Sequence, residues 1–150
     1  MPENNGITRE QALRKMFIRR VIVVALILTA IIIAITIAFN QFKLYSNARL
    51  ALREAKNVKM TLEMVDLEYY GAGINIYDES AEGNIREGAL AYVKKMQGNP
   101  EGTIKLTGYD SKKRKITGFE YELKDFIVRY TSNEDGDCWQ VCQIKELLTY

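Results

Sequence analysis

The chain has no histidine, only two cysteines and only two prolines among 150 residues. Without histidine, the commonest general base and metal ligand of proteins is missing. Two cysteines alone cannot complete a zinc site, and no serine or cysteine can be paired with a histidine for nucleophilic catalysis. No glycine-rich phosphate loop occurs either. The composition disfavours an enzyme, and we expect no catalytic residue, no cofactor and no metal.

Charge is also missing from one stretch, because residues 21–40 carry no charged side chain. Residues 1–20 hold five Lys/Arg and two Glu, a net charge of +3, whereas residues 41–150 hold 16 basic and 17 acidic side chains. The overall charge of +2 therefore originates in the first twenty residues. No global positive field points to a nucleic-acid partner.

The uncharged stretch predicts a membrane-spanning helix. Residues 21–39 are apolar apart from Thr29 and Thr36, and at about 1.5 Å per residue they cover roughly 28 Å, close to the hydrocarbon thickness of a bilayer. Basic residues ending in Arg19 and Arg20 precede it, so the positive-inside rule predicts a single-pass protein of the cell membrane, with a cytoplasmic N-terminus and residues 41–150 outside. A cleaved signal peptide is the alternative, but its apolar core is usually shorter.

Small residues recur along one side of this helix. Ala30, Ala34 and Ala38 lie four residues apart, which would let another transmembrane helix approach closely. We expect contact with other membrane proteins there. The competing interpretation is chance placement in an anchor without a partner.

Residues 41–70 continue at helical spacing, with no proline or glycine before Gly71. Apolar residues at alternating steps of four and three predict one buried stripe, in which Val58, Leu62 and Val65 should pack on a sheet of the same chain. A parallel coiled coil is the alternative, although a seam rich in alanine is a weak zipper. The stripe comprises Leu44, Ala48, Ala51, Ala55, Val58, Leu62, Val65 and Tyr69.

A loop and a short helix should follow within residues 71–99. Gly71 and Gly73 end the long helix, and Asn84 resembles an N-cap with Glu87 three residues later. Gly98, followed shortly by a proline, should end the short helix.

Alternating patterns then predict four antiparallel strands within residues 102–146, joined by turns at 110–114, 124–125 and 133–137. The fold class is α+β, with a long helix packed on a four-stranded antiparallel sheet. The predicted organisation is a cytoplasmic tail at 1–20, a transmembrane helix at 21–40 and an extracytoplasmic domain at 41–150.

Cys138 and Cys142 would lie outside the membrane, where a disulfide is chemically permitted. On one regular strand they would be roughly 13 Å apart, so a bond needs a turn or bulge between them. Two buried thiols facing the core are the alternative.

Two charged turns have functional and ordinary interpretations. The acidic turn could offer oxygen ligands to calcium, or could be a solvated hairpin turn. The basic turn could contact anionic lipid or polymer, or could aid solubility. The residues concerned are Glu134, Asp135 and Asp137 in the first, and Lys112, Lys113, Arg114 and Lys115 in the second.

The order of elements over residues 15–150 resembles that of type IV pilins and type II secretion pseudopilins. Locally, residues 47–71 look like the transition from helix to loop in pilin-like proteins. The segments that look like the pilin sheet are Gly118-Phe119 with Tyr121, Val128-Arg129-Tyr130 and Trp139-Gln140-Val141.

The chain departs from the family at the prepilin cleavage motif, which has glycine before the cleaved bond and glutamate at the fifth mature position. With Lys15-Met16-Phe17 aligned on that motif, Met16 replaces the glycine and Val21 replaces the glutamate. Cleavage after Gly6 would leave about fifteen mostly polar and charged residues before the apolar stretch. The resemblance therefore implies a pilin-like domain on a conventional anchor, with a degenerate cleavage motif.

The resemblance implies a single-pass, membrane-anchored structural component of a bacterial pilus or secretion-type assembly. Its partners would be the membrane and other pilin-like or assembly proteins, in a homo- or hetero-oligomer. The alternative is a membrane-anchored sensor or adaptor whose outer domain binds a ligand. A cavity between residues 71–100 and the sheet would favour the sensor, whereas its absence, with residues 44–55 uncovered, would favour assembly.

Overall fold

The computed structural model describes residues 9–144 and has an α+β fold. It divides into one unit up to Leu44 and a second from Tyr45 onward, which we call the head. The helices are α1 (Arg9–Gly71) and α2 (Glu87–Met96), with a short 3₁₀ turn at Glu82–Asn84. The strands are β1 (Thr103–Asp110), β2 (Lys115–Leu123), β3 (Phe126–Asn133) and β4 (Gly136–Gln143).

The first unit is the N-terminal part of α1. It contains a stretch with a mean hydropathy of 3.2, none of which is buried. The hydroxyls of Thr29 and Thr36 donate to the carbonyls of Ala25 and Ile32, one turn earlier, at 2.8 and 2.9 Å. The two threonine hydroxyls of the apolar stretch are therefore satisfied within the helix. Near its N-terminus the chain thus has a helix long and apolar enough to cross a membrane.

In the head, α1 packs on the sheet through the predicted stripe. Val58, Leu62 and Val65 are fully buried, and the smaller Ala51 and Ala55 are buried nearer the first unit. They share one apolar core with the strands and α2. The prediction that Val58, Leu62 and Val65 pack within the chain is confirmed, whereas Leu44, the first residue of the stripe, is 38% exposed.

The four strands form an antiparallel meander in the order β1-β2-β3-β4. Leu123 and Phe126 flank a two-residue turn, in which Lys124 has a φ of 56°. Alternate residues of the strands face α1, as their spacing predicted. The buried residues of the sheet are Ile104, Leu106, Ile116, Phe119, Tyr121, Leu123, Phe126, Val128 and Tyr130.

The two edges of the sheet differ. At β1, the Asn84 side-chain amide donates to the Leu106 carbonyl at 2.7 Å, and a side chain at Gly83 would collide with the Ile104 carbonyl oxygen. The 3₁₀ turn therefore covers the β1 edge. Within residues 9–144, no strand pairs with the outer edge of β4.

The start of α2 differs from the prediction. The helix begins at Glu87, and Arg86 occupies the N-cap position without a side-chain cap. Asn84, the predicted cap, has a φ of 58° and uses its amide at the β1 edge. The Asn84 side chain, which the local sequence predicted as the helix cap, thus bonds to β1 instead.

Both helices end as the glycines predicted. The Gly98 and Asn99 amides donate to the carbonyls of Lys95 and Lys94, at 3.2 and 2.7 Å, around a Gly98 φ of 70°. This pair of bonds is a Schellman motif. Gly73, with a φ of 71°, ends α1 through the same arrangement.

Candidate functional site

An exposed apolar stripe runs along α1 on the side facing away from the sheet. It consists of Met60, Met64 and Leu67, which are 57, 49 and 72% exposed. Their spacing of four and three residues places them on one helical face, whereas Leu62 and Val65 of the same turns are fully buried. The head helix is therefore apolar on two faces, only one of which its own sheet covers. We call the exposed one the outer stripe.

The helical segment N-terminal to the outer stripe is basic. Arg49 and Arg53 lie one turn apart and, with Ser46 and Leu50, line an open cavity of about 290 Å³. Residues 44–55 are not uncovered as a whole, since Ala51 and Ala55 are fully buried.

A polar cluster joins α1 to the β1–β2 hairpin. Asp66 is 4% exposed, and its carboxylate accepts from Arg114 Nη2 at 2.7 Å and from the Tyr109 hydroxyl at 2.9 Å. Arg114 also donates to the Asn75 side chain and the Ile74 carbonyl, each at 3.0 Å. Burial, followed by the hydrogen bond to Asp66, raises the pKa of Tyr109 to about 12. Because each charge has partners, the cluster fastens the hairpin to the helix.

This cluster changes the interpretation of the basic turn. Three residues of this turn are exposed: Lys112, Lys113 and Lys115. Arg114 instead folds back onto Asp66, and its side chain is only 20% exposed. Both interpretations of the basic turn assumed four free charges, and this is wrong at Arg114, whose charge is paired with Asp66. A signal existed in the sequence: Asp66 borders the apolar stripe one turn after Leu62, where a buried carboxylate needs a partner.

Lys59 and Glu63 lie one helical turn apart on α1 and form an ion pair, with Nζ 2.6 Å from the carboxylate. The Lys59 side chain is only 12% exposed, and its ammonium also lies 4.4 Å from the Tyr130 ring centroid. The lysine stem thus covers part of the core while its charge stays paired.

A small cavity of about 270 Å³ lies between α2 and the start of β1. Glu82, Leu90 and Lys94 line one side and residues 99–104 the other. Its volume lies just below the usual range for small-molecule pockets, roughly 300 to 1,000 Å³. The cavity is at the place that the sensor hypothesis requires.

Cys138 and Cys142 are free thiols on the outer face of the sheet. Trp139 occupies the core face instead, with its ring centroid 4.7 Å from that of Tyr130. The expectation that both thiols face the core is wrong, because side chains alternate along a strand and Trp139 takes the inner position. The β3–β4 pairing runs from Gly136 to Gln143 without a register shift, so β4 has no bulge between the cysteines.

The remaining candidate residues lie apart from one another. Ala30, Ala34 and Ala38 are exposed on the first unit. In the acidic turn, the Asp137 carboxylate accepts from Ser132 Oγ at 2.7 Å. Across residues 9–144, no group of three acidic or cysteine side chains is placed to hold a metal ion.

No protein-family model, no curated protein and no solved structure matches the chain.

Proposed function

We propose that the protein is a single-pass membrane-anchored structural component of a bacterial pilus or secretion-type assembly. The uncharged stretch of α1 would be its anchor, and the head would contact neighbouring subunits outside the cell. The layout of a long helix on a four-stranded antiparallel sheet supports this proposal through its resemblance to pilins and pseudopilins.

The outer stripe is the observation that carries the proposal. Three large apolar side chains on one helical face cost free energy in water and are characteristic of a surface that another protein covers. Packing another helix against them would bury methionine side chains, which adapt to irregular partners. In an anchored domain acting alone, this second apolar face would stay exposed to water with no partner to bury it.

The first experiment measures intact mass in two fractions of native cells, the membrane and sheared surface material. We expect the full-length mass in the membrane, because Met16 and Val21 break the cleavage motif. A shortened protein that begins at Phe17 in the sheared fraction would instead identify a processed filament subunit.

The second experiment tests the outer stripe with Met64→Glu. A carboxylate there should abolish cross-linking to neighbouring subunits in the membrane while the free energy of unfolding stays close to that of wild type. Met96→Glu is the matched control, because Met96 is 45% exposed but lies on α2. Equal cross-linking in both variants and wild type would contradict the proposal.

The sensor or adaptor remains a second candidate, favoured by the cavity beside α2. A ligand that binds only the folded head raises its stability by mass action. Thermal unfolding of the full chain in detergent, with and without a panel of amino acids, short peptides and sugars, tests this function. A rise in Tm that Lys94→Ala removes would favour it over assembly.

A further inference from the structure

The basic residues of the first unit adjoin an open apolar groove. Arg19 and Arg20 immediately precede the uncharged stretch, and with Met16, Val23 and Val24 they line a groove of about 410 Å³. Arg20 lies one helical turn from Met16 on one side and from Val24 on the other. Guanidinium groups and apolar side chains therefore share one short surface.

This surface lies at the boundary between the charged and uncharged parts of α1. In a membrane, the hydrocarbon layer would begin near Val21, which places Arg19 and Arg20 beside the phosphate groups of lipids. Arginine side chains at such a boundary extend toward the polar side and keep their stems in the apolar layer. Met16 would lie among headgroups, whereas Val23 and Val24 would lie against acyl chains.

Charge favours an anionic occupant. Residues 11–53 contain no aspartate or glutamate, so no carboxylate of this segment competes for the two arginines. Arg14 and Lys15 add positive charge one to two turns farther from the boundary and attract anions less specifically. Guanidinium groups also bind phosphate through two parallel hydrogen bonds, which an ammonium cannot do.

We propose that the groove formed by Met16, Arg19, Arg20, Val23 and Val24 binds an anionic phospholipid. Arg19 and Arg20 hold its phosphate, and the two valines contact the first carbons of an acyl chain. The inference rests on the proposed membrane span, and it adds a defined lipid site to what would otherwise be a passive anchor.

The test measures retained lipid by native mass spectrometry of the full chain. The protein is reconstituted in vesicles of phosphatidylcholine mixed with phosphatidylglycerol and then released in mild detergent. We expect wild type to retain phosphatidylglycerol preferentially. The double variant Arg19→Lys/Arg20→Lys keeps the charge but loses the guanidinium geometry, and should bind this lipid about tenfold more weakly.

Arg14→Lys is the matched control, because Arg14 lies outside the groove, and it should retain lipid as wild type does. Equal retention in the double variant would mean attraction by diffuse charge only and would overturn the site. Equal retention of the neutral and anionic lipids by wild type would overturn it as well.

A parallel measurement separates this inference from the proposed anchor. Vesicles of phosphatidylcholine alone are washed with alkaline carbonate, which removes proteins that do not span the bilayer. Resistance to the wash without lipid selectivity would overturn the lipid site and leave the anchor standing. Release by the wash would overturn both.

Discussion

Asp66 shows what a single residue contributes to this head. It lies beside the buried stripe of α1, directly after Val65, and its carboxylate belongs to a polar cluster. Arg114, its ionic partner, lies 48 residues later. Sequence spacing could indicate that a carboxylate at this position needs a partner. It could not indicate which cation of the basic turn supplies it, because that depends on how the β1–β2 hairpin meets α1.

Replacing Asp66 tests the cluster. Asp66→Asn keeps the shape of the side chain but removes the charge that pairs with half-buried Arg114. We expect the free energy of unfolding to fall by about 2–3 kcal/mol, measured by urea denaturation of the full chain in detergent. Glu101→Gln is the control, because Glu101 and Lys124 form an exposed pair at 3.6 Å whose loss should leave stability almost unchanged. Equal losses in the two variants would contradict a stabilising role for the cluster.

The raised pKa values of Tyr109 and Tyr121 predict that the head loses stability in alkaline solution. Burial, followed by hydrogen bonds to Asp66 and Glu54, raises the pKa of each hydroxyl to about 12. Unfolded tyrosine has a pKa of about 10, so the folded head keeps protons that the unfolded chain releases. This stabilisation is complete below pH 10 and is lost as the pH rises through 12.

Urea denaturation across this pH range gives the measurement, with Tyr109→Phe as the comparison. The variant should lose less stability between pH 10 and 12 than wild type does. An identical decline in the two proteins would show that Tyr109 does not contribute to it.

At the scale of elements, periodicity predicted most of the head. The stripe of α1 and the four strands follow from repeats of about 3.6 and 2 residues, which burial on one face imposes. The start of α2 did not follow, because Asn84 serves the β1 edge and not the helix. Local patterns predict an element well when contacts among its own residues determine its bounds. They predict it poorly when one of its side chains instead bonds to a distant element.

The end of α1 offers a paired test of backbone conformation. A side chain at Gly71 or Gly73 would meet no atom within 4 Å, so space does not distinguish the two positions. Gly73 has a φ of 71°, whereas Gly71 is the last helical residue. Gly73→Ala should destabilise the head by about 1 kcal/mol, and Gly71→Ala should stabilise it by about 0.5 kcal/mol. Thermal unfolding of both variants measures the difference, and a shift of the same sign in both would contradict the assignment of the cap.

At the scale of the whole molecule, the clustering of basic residues, and not their number, predicts the orientation of the anchor. Residues 1–20 contain five Lys/Arg, and residues 40–59 also contain five. The positive-inside rule compares these two flanks, and only the closer spacing of Arg14, Lys15, Arg19 and Arg20 favours a cytoplasmic N-terminus. Composition therefore predicts the span, and the position of the basic cluster predicts its direction.

The two cysteines provide a direct measurement of orientation. Cys138 is exposed on the head, and Cys142 is the only other thiol of the chain. A membrane-impermeant maleimide should label intact cells if the head is outside, as we propose. Labelling that requires lysis would reverse the orientation, and a variant with both cysteines changed to serine should stay unlabelled.

Because no strand within residues 9–144 pairs with the outer edge of β4, the amides on that edge can exchange protons with water. Asn133 and Gly136 flank a two-residue turn, and the Ile144 amide donates to the Asp125 carbonyl at 2.8 Å. Because ladder bonds alternate along an antiparallel pair, the amides of Cys138, Gln140 and Cys142 bond to β3, whereas those of Trp139 and Val141 point to the open edge. We expect rapid deuterium exchange at every second amide of this strand. Slower exchange at Trp139 and Val141 would then show that another strand has paired with the open edge.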